Sequence, residues 1–192
     1  MSRMPKTLGV FALIAAAELT LAGCGESTPG SPTADAQTTA SASAVATSSN
    51  SAASQWDPCT IPESAISGLG LDATTKSDQI SGTTFDGWKV CGWKSADKTY
   101  GFEIFTSDHS LDDLKQRTDY TDFTPTTVGN RQALQYRAAG GNHDLDCSIS
   151  AQIPGGTVDF EVLNNYGVSG TSDPCTHVRH LADGLAQYLP GV

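Results

Sequence analysis

Positive charge is scarce in this chain. Lys and Arg number 11 against 21 Asp and Glu, for a formal net charge of −10. Nucleic-acid binding needs a basic face that neutralises phosphates, so no nucleic-acid partner is expected. No Lys/Arg cluster exists to dock on anionic lipid heads either. Long apolar runs are also missing. The stretch from Leu8 to Ala22 is about 15 residues, short of the roughly 20 that a spanning helix needs. P-loop and dinucleotide-binding glycine patterns are absent. So is C-x-x-C, which leaves a thioredoxin-like site or a zinc ribbon without support.

What the N-terminus does contain is an export signal. Arg3 and Lys6 precede the apolar stretch and small residues follow it, the layout of a signal peptide over residues 1–23. Glu18 is out of pattern, since a charge at mid-membrane costs about 3 kcal/mol, but it sits near the end of the run. Leu21-Ala22-Gly23-Cys24 resembles a bacterial lipobox. The resemblance implies cleavage before Cys24, diacylglycerol on its thiol and often a further acyl chain on its new amine. Two or more chains suffice for stable anchoring. The expected partner is therefore the cell membrane, held through the lipid on Cys24, with the protein on its extracytoplasmic face. Residues 24–55 are almost wholly Ser, Thr, Ala, Pro and Gly, with no apolar period. They read as a disordered tether of roughly 30 Å mean span, a plain spacer.

With Cys24 lipidated, Cys59, Cys91, Cys147 and Cys175 remain. An even number in an exported chain reads as a disulfide framework, with three possible pairings. Sequence proximity favours Cys59–Cys91 and Cys147–Cys175. Each would close a loop of about 30 residues, for roughly 3–4 kcal/mol in the chain-entropy model. Asp-Pro-Cys-Thr occurs twice, at Asp57–Thr60 and Asp173–Thr176. Asp can cap a first turn and Pro fits the first helical position. After the second copy, Val178, Leu181, Ala182, Leu185, Tyr188 and Leu189 share one helical face. The first copy opens a shorter helix carrying Ile61, Ala65, Ile66 and Leu69. A helix N-terminus also favours a reactive thiolate, but two partners at hand in an oxidising compartment favour cystines.

Between the helices the pattern turns to strands. Trp88–Trp93 and Thr99–Thr106 read as a pair, and Ser110 caps a short helix with Leu111 and Leu114. A turn near Gly129-Asn130 leads to a strand with Leu134 and Tyr136. Cys147, Ile149, Ala151 and Ile153 alternate with Asp146, Ser148, Ser150 and Gln152, and Val158, Phe160 and Val162 alternate with Asp159 and Glu161. This is a hairpin with one wet face. Trp88 and Trp93 fall on opposite faces of a regular strand; core packing is expected for both, the alternative being that one packs the core while the other lines a groove. The fold class is α+β: an antiparallel sheet of about five strands, terminal helices packed on one face and two disulfides, in a single domain over residues 56–192.

The ordered set Trp56-Asp57-Pro58-Cys59, Leu69-Gly70-Leu71, Cys91-Gly92-Trp93, Gly129-x-Arg131-x-Ala133, Cys147 and Asp173-Pro174-Cys175 resembles a family of actinobacterial lipoproteins, domain of unknown function 3558. The resemblance implies export, lipidation and two disulfides, and no established catalytic residue, ligand or cofactor.

Candidates for chemistry are few. His177, His180 and Asp183 lie at helical spacing, but two ligands without a third and fourth do not make a metal site. His143 with Asp144 and Asp146, and His109 beside Asp108, read as loop polarity. Ser169 lacks the G-x-S-x-G frame of a nucleophile elbow. Asp112-Asp113 and Asp119 with Asp122 do not follow the calcium-loop pattern and read as a solvated face. No catalytic residue, metal or cofactor is expected. The leading expectation is a non-enzymatic domain that binds a small ligand or an envelope protein. The alternatives are an envelope hydrolase with a loop His/Asp site and a structural or surface-antigen spacer.

Overall fold

The computed structural model describes residues 55–168 and 172–191. The expected signal peptide, Cys24, the expected tether up to residue 54 and Ser169 lie outside the described residues. The chain forms helix α1 (Glu63–Gly68) and strands β1 (Leu71–Ser77), β2 (Lys89–Ser95) and β3 (Tyr100–Ser107). Helix α2 (Leu111–Lys115) follows, then β4 (Tyr120–Val128), β5 (Arg131–Ala138), β6 (Asp146–Ile153), β7 (Gly156–Asn164) and helix α3 (Pro174–Leu185). All strands lie in one antiparallel sheet, in the order β1-β2-β3-β7-β6-β5-β4.

The sheet has seven strands rather than about five. The two not anticipated, β1 and β4, are its edges. Both are rich in Thr and other polar residues, and β4 contains Pro125. Edge strands expose one row of backbone groups and tolerate such residues, so they lack the apolar alternation that marks an inner strand.

The core lies between the sheet and α3. Val178, Leu181, Ala182 and Leu185 are fully buried on the helix, which packs on β6 and β7. Opposite them, Trp93 stacks on Phe102 at 6.3 Å and Phe102 on Phe160 at 6.3 Å, an aromatic ladder across β2, β3 and β7. Ile61 and Ile66 close the same core from the N-terminal side. The first Asp-Pro-Cys-Thr forms only a 3-10 turn, Pro58–Thr60, because Pro62 interrupts it and α1 starts at Glu63. The second opens α3 itself. In both copies the Asp carboxylate accepts the Cys N–H, at 2.8 Å for Asp57 and 3.1 Å for Asp173.

The structure joins Cys59 to Cys91 and Cys147 to Cys175, with Cα–Cα distances of 5.2 and 5.0 Å. Each bond pins a helical start to a central strand. Such bonds fit an oxidising, extracytoplasmic compartment. No helix among the described residues is long and apolar enough to cross a membrane. The Gly129-x-Arg131-x-Ala133 run has a local reason. Gly129 has φ 57° and turns β4 into β5 close against Ala186. Arg131 then donates to the carbonyls of Ala186, Leu189 and Pro190, which follow α3. Ala133 is buried beneath.

Sequence separations of 32 and 28 residues set the loop entropy that each disulfide removes from the unfolded chain. Replacing Cys147 and Cys175 together by Ser should lower the unfolding free energy by about 3 kcal/mol. Urea melts of the oxidised wild type and the double variant check this, and equal midpoints would contradict it.

Candidate functional site

The second face of the sheet is not the wet face that the hairpin pattern suggests. Asp146, Ser148 and Ser150 of β6 are buried. The reason is the route from β3 to β4. Because β7 occupies the place beside β3, the chain after Ser107 must cross the sheet to reach the far edge. The crossing carries α2 over β6. Ser110 caps this helix reciprocally with Asp113: its hydroxyl accepts from Asp113 N at 3.1 Å, and Asp113 accepts from Ser110 N at 2.9 Å.

A cavity of about 460 Å³ lies between this crossing and the sheet. Its floor is polar: Ser150, Thr157, Asp159 and Glu161. One wall is aromatic. Phe85 meets the edge of Phe105 at 6.1 Å, Trp88 meets Phe105 at 6.3 Å, and Trp88 lies 5.5 Å from the His109 ring. Trp88 therefore lines the cavity instead of the core, while Trp93 is buried among the helix-side aromatics. Their five-residue spacing puts them on opposite faces of one strand path.

The other wall is Leu114, Arg117 and Tyr120. Arg117 sits 4.5 Å from the Tyr120 ring centroid and is held by Asp119 through Nε at 3.0 Å and Nη2 at 2.5 Å. β4 shifts register between Thr121 and Thr124, where Asp122 has φ 59°. This irregularity lets Tyr120 and Phe123, three apart, both pack on Tyr136, at 4.7 and 5.6 Å.

Carboxylates on the floor lack ordinary solvation. Burial pushes Asp159 up to about 7, with its Tyr136 hydrogen bond opposing and the Glu161 charge assisting. The Tyr136 hydroxyl donates to Asp159 Oδ2, while Asp159 Oδ1 is closed off from solvent without a hydrogen-bond partner. Glu103 and Glu161 face each other across β3 and β7. Burial, then the Glu161 charge, raises Glu103 to about 7. Glu161 is raised by burial and by the charge of Asp146. Tyr136 is pushed well above its usual range, first by burial and then by Asp159, and Tyr120 is pushed up to about 12 for the same reasons.

The histidines do not assemble a loop site. His109 reaches the cavity wall, His143 lies 3.4 Å from Asp122, and His177 stacks on Tyr100 at 4.4 Å. His180 is exposed and Asp183 pairs with Arg179 at 3.5 Å. Asp144 and Asp108 are exposed, and Asp146 accepts the backbone N–H of Ala138 at 2.7 Å. The acidic run is mostly partnered: Asp112 with Lys115 at 2.9 Å, Asp113 in the helix cap and Asp119 with Arg117. No group of three or more potential ligands among the described residues is arranged to hold a metal. Sequence reading put Asp159 and Glu161 on a wet face and passed over Glu103. Their one visible signal was acidic residues alternating with bulky apolar ones on central strands.

Architecture and cavity together define a disulfide-pinned antiparallel-sheet domain with one face sealed by a helix and the other hollowed. The family described as Protein of unknown function (DUF3558) matches residues 19–188, and the chain belongs to it. No curated protein and no solved structure matches.

The raised carboxyls bind their protons more tightly in the folded than in the unfolded state. Their contribution to stability is full below the ordinary values of 3.8 and 4.5 and is lost as pH rises through about 7. His177, lowered by burial, acts in the opposite sense. Asp159→Asn removes one raised carboxyl and keeps His177. The melting temperature of the wild type should thus drop more between about pH 5 and about pH 8 than that of the variant, by several degrees. Parallel thermal-melt curves would refute the assignment.

Proposed function

We propose that this chain is a membrane-anchored, extracytoplasmic lipoprotein whose folded domain binds a small molecule in the cavity between the sheet and the β3–β4 crossing. The observation that carries the reading is the cavity itself. About 460 Å³ falls within the size range of small-molecule sites, and an apolar aromatic wall above a few polar groups is their usual chemistry. The two disulfides favour a rigid, preformed site outside the cytoplasm. The anchor is the lipid on Cys24, whose lipobox sequence supports it. The tether then lets the domain stand off the membrane.

Native mass spectrometry of the protein recovered from its envelope, disulfides intact, tests the binding role. A reproducible extra mass that is weakened by Trp88→Ala is the expected result. A mass equally retained by that variant would move the ligand elsewhere, and a bare polypeptide mass would count against a small-molecule role. For the anchor, Cys24→Ala should shift the protein from the membrane fraction to the soluble one. Unchanged retention would exclude Cys24 as the attachment point.

A further inference from the structure

We infer that the cavity takes an organic cation: a small molecule with an ammonium group seated over Asp159 and Glu161 and an apolar body against Phe85, Trp88 and Phe105. The inference rests on the small-molecule reading above and adds the class of ligand.

Three observations converge on it. The floor holds carboxylates that take part in no ion pair among the described residues. Asp159 has a carboxylate oxygen shut away from solvent and without a partner, although its other oxygen is satisfied by Tyr136. A buried acceptor left in this way is costly, and a ligand N–H would relieve it. Glu103 and Glu161 stand directly opposite each other on paired strands, and like charges so placed destabilise a sheet; of the two, Glu161 lines the cavity. Neither is in an ion pair among the described residues. Arg117 lines the same cavity, and its guanidinium is held by Asp119 through Nε and Nη2.

The walls suit a cation as well. Aromatic faces attract a desolvated ammonium through their quadrupole. Arg117 over Tyr120 shows that this cavity already accommodates one such contact. Alternative ligand classes fit less well. An anion would meet Asp159, Glu161 and Asp113, and a bare metal ion would find no ligand set of three among the described residues. The cavity is also far larger than the roughly 10–15 Å³ that holds one water.

The test uses three probes on one phenylethyl frame with different charge: phenethylammonium, 2-phenylethanol and 3-phenylpropanoate. Each is titrated into the oxidised protein at neutral pH, read by calorimetry and by Trp fluorescence. The ammonium should bind about tenfold or more tightly than the alcohol, with no heat from the carboxylate. Asp159→Asn should cost the ammonium about tenfold and leave the alcohol within about twofold. Glu161→Gln serves the same purpose if the first variant fails to fold. Equal or tighter binding of the alcohol or the carboxylate would overturn the cation assignment while keeping the cavity as a small-molecule site. If none of the three binds and the envelope-derived protein also carries no extra mass, the cation inference and the small-molecule reading fall together.

Discussion

The placement of β7 between β3 and β6 is the constraint on which the rest depends. Had β4 paired with β3, the segment between them would have been a short turn and the second face of the sheet would have stayed open to water. Because the site beside β3 is filled, residues 108–119 must traverse the sheet. A chain that crosses a sheet cannot lie flat on protruding side chains. It stands off on bulky ones, and the gap it leaves above the small residues Ser150 and Thr157 is the cavity. The two faces thus have opposite characters. One is packed tightly under α3, whose apolar stripe matches the aromatic ladder. The other is roofed but hollow.

Pinning at both ends makes this arrangement rigid. The disulfides fix the N-terminal turn to β2 and the start of α3 to β6, two of the strands on which the core is built. Arg131 holds the carbonyls beyond α3 from the start of β5, and Arg137 reaches from the end of β5 to Asp173 at 3.1 Å. A helix tied at its beginning and its end is held in place on the sheet. A site floored by strands β6 and β7 gains preorganisation from that, since its carboxylates need not be ordered when a ligand arrives.

Burying acidic groups on the floor has a cost, and burial raises the carboxyls of Asp159 and Glu161. Structures retain such a cost where function uses it, although ion-pair networks also perturb titration. Here Asp159 with its unpartnered oxygen, Glu161 and the aromatic wall fall in one cavity. That coincidence gives the site its chemical direction, towards a ligand that brings positive charge and apolar surface together.

How much of this was legible beforehand follows from the range of the interactions involved. Helix caps, the period of α3, the β6–β7 hairpin and the short helix after Ser110 rest on contacts within a few residues, so Asp57, Asp173, Val178 and Ile149 could be read in line. Cysteine pairing followed from their even number and spacing. The edge strands escaped notice because an edge needs no apolar alternation, and Pro125 disguised β4 further. Asp159, Glu161 and Trp88 were misassigned for a different reason. On a strand, alternation separates two faces but does not say whether the second meets water or another part of the chain. That was decided by topology, through a crossing between residues far apart in sequence. The sequence by itself determined the covalent frame, the helix starts and the packed face of the sheet. Only the tertiary structure decided that the polar face is buried, and so turned an apparently solvated row of acids into the floor of a cavity.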